Sequence, residues 1–150
     1  MAPGPPANRP IVDNRCGFGP AMAEQVRLQL PLRRESARRA RLAVEPLRSS
    51  IPEPVFAELV LVVSELVSDA VLTRMDGGGD TLGLGVSADG KRLRIEVTAA
   101  SGSLKAAPSA PAPGEQGWGI YLLKRLGYRW TLENRGEVAD LRASKDLRDG

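Results

Sequence analysis

The sequence predicts an α+β fold, a two-layer α/β sandwich with helices on one face of a mostly antiparallel sheet. Short runs of alternating apolar and polar residues lie toward both ends of the chain, the signature of half-buried strands. Between them sits one long segment that is apolar nearly all round, which marks a helix buried within the protein. Asp89-Gly90 joins two of the alternating runs and is a strong hairpin signal. With 150 residues, 42% of them hydrophobic, the chain is long enough for one core and one globular domain.

Residues 1–24 are rich in proline and glycine and read as a disordered tail; the domain is expected over 25–145, with 146–150 as a short C-terminal tail. Val26 to Leu32 alternates with period two, and Pro31 suits an edge strand. Glu35 to Ser49 reads as an amphipathic helix interrupted near Pro46. Pro52 and Pro54 open a second helix, Val55 to about Arg74, which the glycines of 76–80 stop. Thr81 to Ser87 and Arg92 to Thr98 form the hairpin strands. Residues 99–116, AASGSLKAAPSAPAPGEQ, make a loop long enough to be a lid or an insert. Gly117 to Leu126 reads as a short helix ended by Gly127, and Tyr128 to Glu133 with Val138 to Ala143 close the sheet as a second hairpin.

The chain has no histidine, which excludes His-based acid/base catalysis, Ser-His-Asp triads and His-ligated zinc. Cys16 is the one cysteine, so no internal disulfide or CxxC pair exists, and a reducing cytoplasm is the expected compartment. The N-terminus lacks the apolar run of a secretory signal, and the longest apolar stretch carries Glu58, Glu65 and Asp69, so no membrane span is expected. The net charge is +3, distributed as +5, −4 and +2 over successive thirds. Arg33, Arg34, Arg38, Arg39 and Arg41 could grip nucleic acid, but no aromatic residues are interleaved with them and a solvated helix face is the simpler reading.

Glu65 and Asp69 stand four residues apart on one face of the apolar helix. Carboxylates in such surroundings need an arginine, a metal ion or a watery cleft beside them. Mg²⁺ held by a carboxylate and substrate phosphates would serve; so would the arginines of the first helix, with both acids at an exposed edge. Gly117-Trp118-Gly119 opens a helix after the long loop, and backbone N–H groups there suit an anion, although a hinge plus a helix start explains the glycines equally. Trp118, Trp130, Tyr121 and Tyr128 read most simply as packing residues.

In order along the chain, these segments resemble the histidine-kinase-like (GHKL, or Bergerat) ATPase domain, and within it the bacterial anti-sigma-factor serine/threonine kinases. The first box is similar to Val63 to Val71 (VSELVSDAV), the second follows Leu93 to Val97 (LRIEV), and the third is similar to Gly117 to Leu123 (GWGIYLL) with Tyr128 to Trp130 beyond it. The resemblance implies ATP and Mg²⁺ as cofactors, with a nucleotide pocket between helices and sheet under the lid. It assigns Glu65 as general base, Asp69 as the Mg²⁺ ligand, and Ala99, Ser101, Ser103, Gly117, Trp118, Gly119 and Ile120 to nucleotide binding. It also implies a homodimer that binds a sigma factor or an antagonist protein.

Several positions depart from the family pattern. Asp69 stands where the family has asparagine, Thr73 replaces a usual histidine or similar polar residue, and the D-x-G-x-G box is Ala99-Ala100-Ser101-Gly102-Ser103. The adenine-reading aspartate is thereby Ala99, a loss that predicts roughly ten- to a hundred-fold weaker ATP binding. Gly136-Glu137-Val138 lacks the threonine that supports the adenine site in relatives. The sequence thus favours a regulatory protein with a degraded ATP site that acts by binding a protein partner. An active ATP-dependent serine kinase acting on an antagonist, and a nucleic-acid-binding module using Arg33 to Arg41, are the alternatives.

Overall fold

The computed structural model describes residues 24–74, 81–106 and 110–147. The expected N-terminal tail to Ala23, the helix stop at 76–80, the middle of the long loop and residues 148–150 lie outside the described residues. The order is β1 (Glu24–Pro31), α1 (Ser36–Ala43), a 3₁₀ segment (Glu45–Ser50), α2 (Glu53–Arg74), β2 (Thr81–Ala88), β3 (Arg92–Ala100), α3 (Trp118–Arg125), β4 (Arg129–Arg135) and β5 (Val138–Asp146). Five antiparallel strands in the order β1-β2-β3-β5-β4 form one sheet, so the fold is the α+β two-layer sandwich that the patterning predicts.

Period two decides which strand residues face the helices. Leu82, Leu84 and Val86 of β2 and Leu93, Ile95 and Val97 of β3 are buried on one face, while Thr98 and Arg94 stay on the other. Helix α2 lies against that apolar layer with Phe56, Leu59, Val62, Val63, Leu66 and Val67 buried, and leaves Leu61 and Leu72 exposed. Each buried leucine of this kind contributes about 1.5–3 kcal/mol. The break at Pro46 is real: α1 ends at Ala43, and the proline opens the 3₁₀ segment, where its missing N–H costs nothing. The Ser36 hydroxyl donates to the Pro31 carbonyl and ties the end of β1 to the start of α1.

The β2–β3 hairpin depends on local turn chemistry. The Asp89 carboxylate accepts the Lys91 and Arg92 N–H groups at 2.9 Å each, and Gly90 takes a φ of 88°. Strands β3 and β5 pair from Arg92 opposite Asp146 to Ala100 opposite Val138, which makes both longer than the alternation alone suggests. The domain extends past residue 145, because Leu147 is buried and its N–H bonds the Lys91 carbonyl at 2.8 Å.

Lys145 fastens the helix layer to the sheet. Its ammonium donates to Glu58 Oε1 of α2 at 2.8 Å and to the Leu126 carbonyl after α3 at 2.7 Å, and lies 5.2 Å from the Tyr128 ring centre. Because the group is mostly buried and satisfies a helix-end carbonyl, Lys145→Met is expected to cost about 1–3 kcal/mol in urea unfolding. An unchanged midpoint would show the contact to be a surface pair of little weight.

Candidate functional site

Helix α2 places Glu65 and Asp69 one turn apart, but their surroundings differ. Asp69 is only 3% exposed. Its Oδ1 accepts the Gly117 N–H at 3.0 Å, and its Oδ2 accepts the Gly119 N–H at 3.1 Å and a second, longer approach from Gly117 at 3.2 Å. Helix α3 has no capping side chain at its own N-cap, Gly117. The acid on α2 therefore does the capping, and the N–H groups read from the sequence as an anion site hold an anion from within the chain. Pairing of Asp69 with first-helix arginines at an exposed edge does not occur: the residue is buried, its partners are backbone, and Arg48 instead joins Glu45 and Glu53.

Burial pushes the Asp69 carboxyl up from 3.8 to about 6. The N–H bonds from Gly119 and Gly117 pull it down, and the negative charge of Glu65 adds to the rise. Glu65 is half-buried and has no hydrogen-bond or ion-pair partner among the described residues.

The close seat of α3 on α2 explains the second glycine. A Cβ on Gly119 would lie 3.0 Å from the Leu66 N, Cα and Cδ2 atoms, so the helices meet with backbone against backbone. Gly117 has a φ of 93°, in the left-handed region that favours glycine. The end of the long loop is tied to the same place: Gln116 Nε2 donates to the Thr73 hydroxyl at 2.7 Å, which itself donates to the Asp69 carbonyl at 3.1 Å. Thr73 thus joins the cluster as a relay between loop and helix, a pairing that no local spacing announces. Trp118 is half-buried and tilted against Tyr121, with ring centres 5.6 Å apart, and Ile120 is a core residue.

The remaining expected site residues belong to the end of the sheet. Ala99 is the penultimate residue of β3, opposite Ala139 and buried, and its methyl group offers no acceptor. The Ser101 hydroxyl donates to the Gly136 carbonyl and its N–H to the Glu137 carbonyl, both at 2.9 Å, which pins the start of the loop to the β4–β5 turn. Ser103 is buried, with a hydroxyl that has no partner among the described residues. No hydrogen bond joins Ala99, Ser101 or Ser103 to the Asp69 cluster among the described residues.

These residues suit Mg²⁺-nucleotide poorly. A hard cation wants carboxylate oxygens free to bind it, and both oxygens of Asp69 already accept backbone N–H groups. Among the described residues no three Asp, Glu, Cys or His side chains converge as metal ligands. A groove of about 340 Å³ lined by Gln29, Gly83, Thr98 and Glu137 lies beside Ala99, along residues of the sheet face turned away from the helices. The arginines at 33, 34, 38, 39 and 41 are exposed and make no ion pair among the described residues. No helix among the described residues is long and apolar enough to cross a membrane. No family model fits the sequence, and no curated protein matches it.

Proposed function

We propose that the chain is a regulatory protein of the histidine-kinase-like, anti-sigma-factor type that acts by binding a protein partner, its nucleotide site being closed from within. The observation that carries this reading is the Asp69 carboxylate on the Gly117 and Gly119 N–H groups. A phosphate seeking those donors must displace a buried carboxylate and then sit beside its negative charge. The buried methyl of Ala99 supports the same reading, since it supplies no acceptor for an adenine amino group. Partners of the sigma-factor or antagonist class, a homodimeric state and a cytoplasmic setting follow from the resemblance and form part of the proposal.

Calorimetric titration with Mg²⁺-ATP is expected to give millimolar or undetectable binding, and a clean micromolar isotherm would overturn the reading. The double variant Asp69→Asn, Ala99→Asp should bind nucleotide more tightly than the parent, because it removes the internal anion and restores an acceptor. A second reading, that of a working serine kinase, rests on Glu65, half-buried and without a described partner. It requires phosphotransfer to a protein hydroxyl that disappears in Glu65→Ala.

A further inference from the structure

Among the described residues no element covers the sheet face turned away from the helices, and that face carries an uneven set of charges. Antiparallel register puts Arg27, Gly85, Glu96, Arg142 and Thr131 in one row across it, and Arg94, Ser144 and Arg129 in the next. The first row is internally neutralised. Arg27 approaches Glu96 at 3.7 Å, Arg142 reaches Glu96 at 3.4 Å and Asp140 at 3.2 Å, and Arg135 holds Asp140 at 3.0 Å. The second row is not: Arg94 and Arg129, with Arg92 two residues before Arg94, have no carboxylate within ion-pair distance among the described residues. Asp89 feels Arg94 only at longer range; burial would raise its carboxyl, yet N–H bonds and Arg94 hold it below the ordinary value. Asp146, at the end of β5, is already engaged.

We propose that this end of the bare face, across β3, β5 and β4, docks an extended acidic segment of a partner protein. Two adjoining grooves share Arg129 and Ser144. One of about 300 Å³ is lined by Arg94, Arg142 and Thr131 as well; the other, of about 360 Å³, is lined also by Arg92 and Asp146 and turns round the end of the sheet to Leu126 and to Lys145, whose ammonium is held by Glu58. Strands lie about 4.8 Å apart, so Arg94 and Arg129, on either side of Ser144, have Cα atoms about 9–10 Å apart. An extended segment presents same-side residues about 6.5–7 Å apart, the spacing of Arg92 and Arg94 along β3, and the long side chain of Arg129 spans the wider gap across Ser144, each guanidinium able to bind a carboxylate in bidentate fashion. Ser144 offers a hydroxyl donor between Arg94 and Arg129, and Thr131 another in the neighbouring row opposite Arg142. Single-stranded nucleic acid fits less well, because it needs several rings to stack on, whereas Trp130 is the one ring among the residues lining the two grooves and is itself partly buried against the core. The inference rests on the reading that the chain works by binding a protein, and it names that partner's chemistry.

The test is fluorescence anisotropy with a labelled glutamate-rich peptide, at low and at physiological salt, on the full chain. Binding to the parent should weaken with salt, and Arg94→Glu with Arg129→Glu should weaken it about ten-fold or more. Arg94→Gln with Arg129→Gln, which removes charge without reversing it, should show a smaller loss in the same direction, with melting curves confirming that both variants fold. Arg38→Glu with Arg41→Glu on α1 should leave binding close to the parent's. No binding to the parent at low salt, equal binding by parent and sheet variants, an equal loss in the α1 variant, or tighter binding of a polyuridylate oligonucleotide than of the peptide would each overturn the proposal. A micromolar Mg²⁺-ATP isotherm would overturn the functional reading alone and leave the peptide result standing.

Discussion

Asp69→Ala is expected to cost about 2–4 kcal/mol of folding stability at pH 5, because it strands two buried N–H groups at the start of α3. The loss should be smaller at pH 7. The folded-state carboxyl titrates near 6, above its ordinary 3.8, so folding favours the protonated acid. The stability this group contributes is therefore complete below about pH 4 and is lost as pH rises through 6, a swing of about 2–3 kcal/mol. Asp69→Asn keeps an oxygen acceptor and abolishes the titration. The stability of the parent minus that of Asp69→Asn, measured by urea unfolding from pH 4 to 7, should fall as pH rises. A difference that stays flat would mean that the carboxyl is ionised throughout and that its burial is relieved in solution. Asp89, held below its ordinary value, acts in the opposite sense near and below pH 4, which is why the subtraction is needed.

Gly119→Ala is the second large effect. In an exposed helix the change would stabilise by about 1 kcal/mol. Here the new methyl meets the Leu66 backbone at 3.0 Å, and neither helix can yield without disturbing the Asp69 bonds on the same turn. Overpacking of this kind costs about 1–3 kcal/mol. The denaturant midpoint should therefore fall; a rise would show that α3 does not sit on α2 at this distance.

Much of the fold was legible because its signals are local. Asp89-Gly90, the apolar length of α2 and the proline at 46 each act within a few residues of where they stand. The long-range pairings were not. The composition of 99–116 puts Ala99 in the lid, yet it lies in β3 because Ala139 stands opposite, and nothing near residue 99 records that partner. The placement of β5 between β3 and β4 likewise follows from pairing across α3, which hairpin signals do not encode. At the candidate site, the sequence singled out Asp69, Gly117 and Gly119 but not their union. A carboxylate on an apolar helix announces that it needs a partner, and the choice between metal, arginine and backbone is made by chain 48 residues away. The sequence picks out the arginines of the first helix and none of those on the strands, because the register that sets Arg94 and Arg129 about Ser144 is tertiary.

The position of β1 has a consequence for the order of assembly. Strands β2 and β3, and β4 and β5, are neighbours in sequence and can zip from their turns, whereas β1 pairs with β2 only after the whole α1–α2 excursion has closed, with Pro31 opposite Thr81. Loop closure of that size is a penalty incurred before any β1 bond is gained, and each doubling of loop length adds about 0.6 kcal/mol to it. Folding should therefore finish at β1, and the reverse step, release of this edge strand, should be the first cooperative opening seen by hydrogen exchange. Until it docks, β2 presents a bare ladder interrupted by Gly83 and Gly85, and the nascent chain is most exposed to mispairing during that interval.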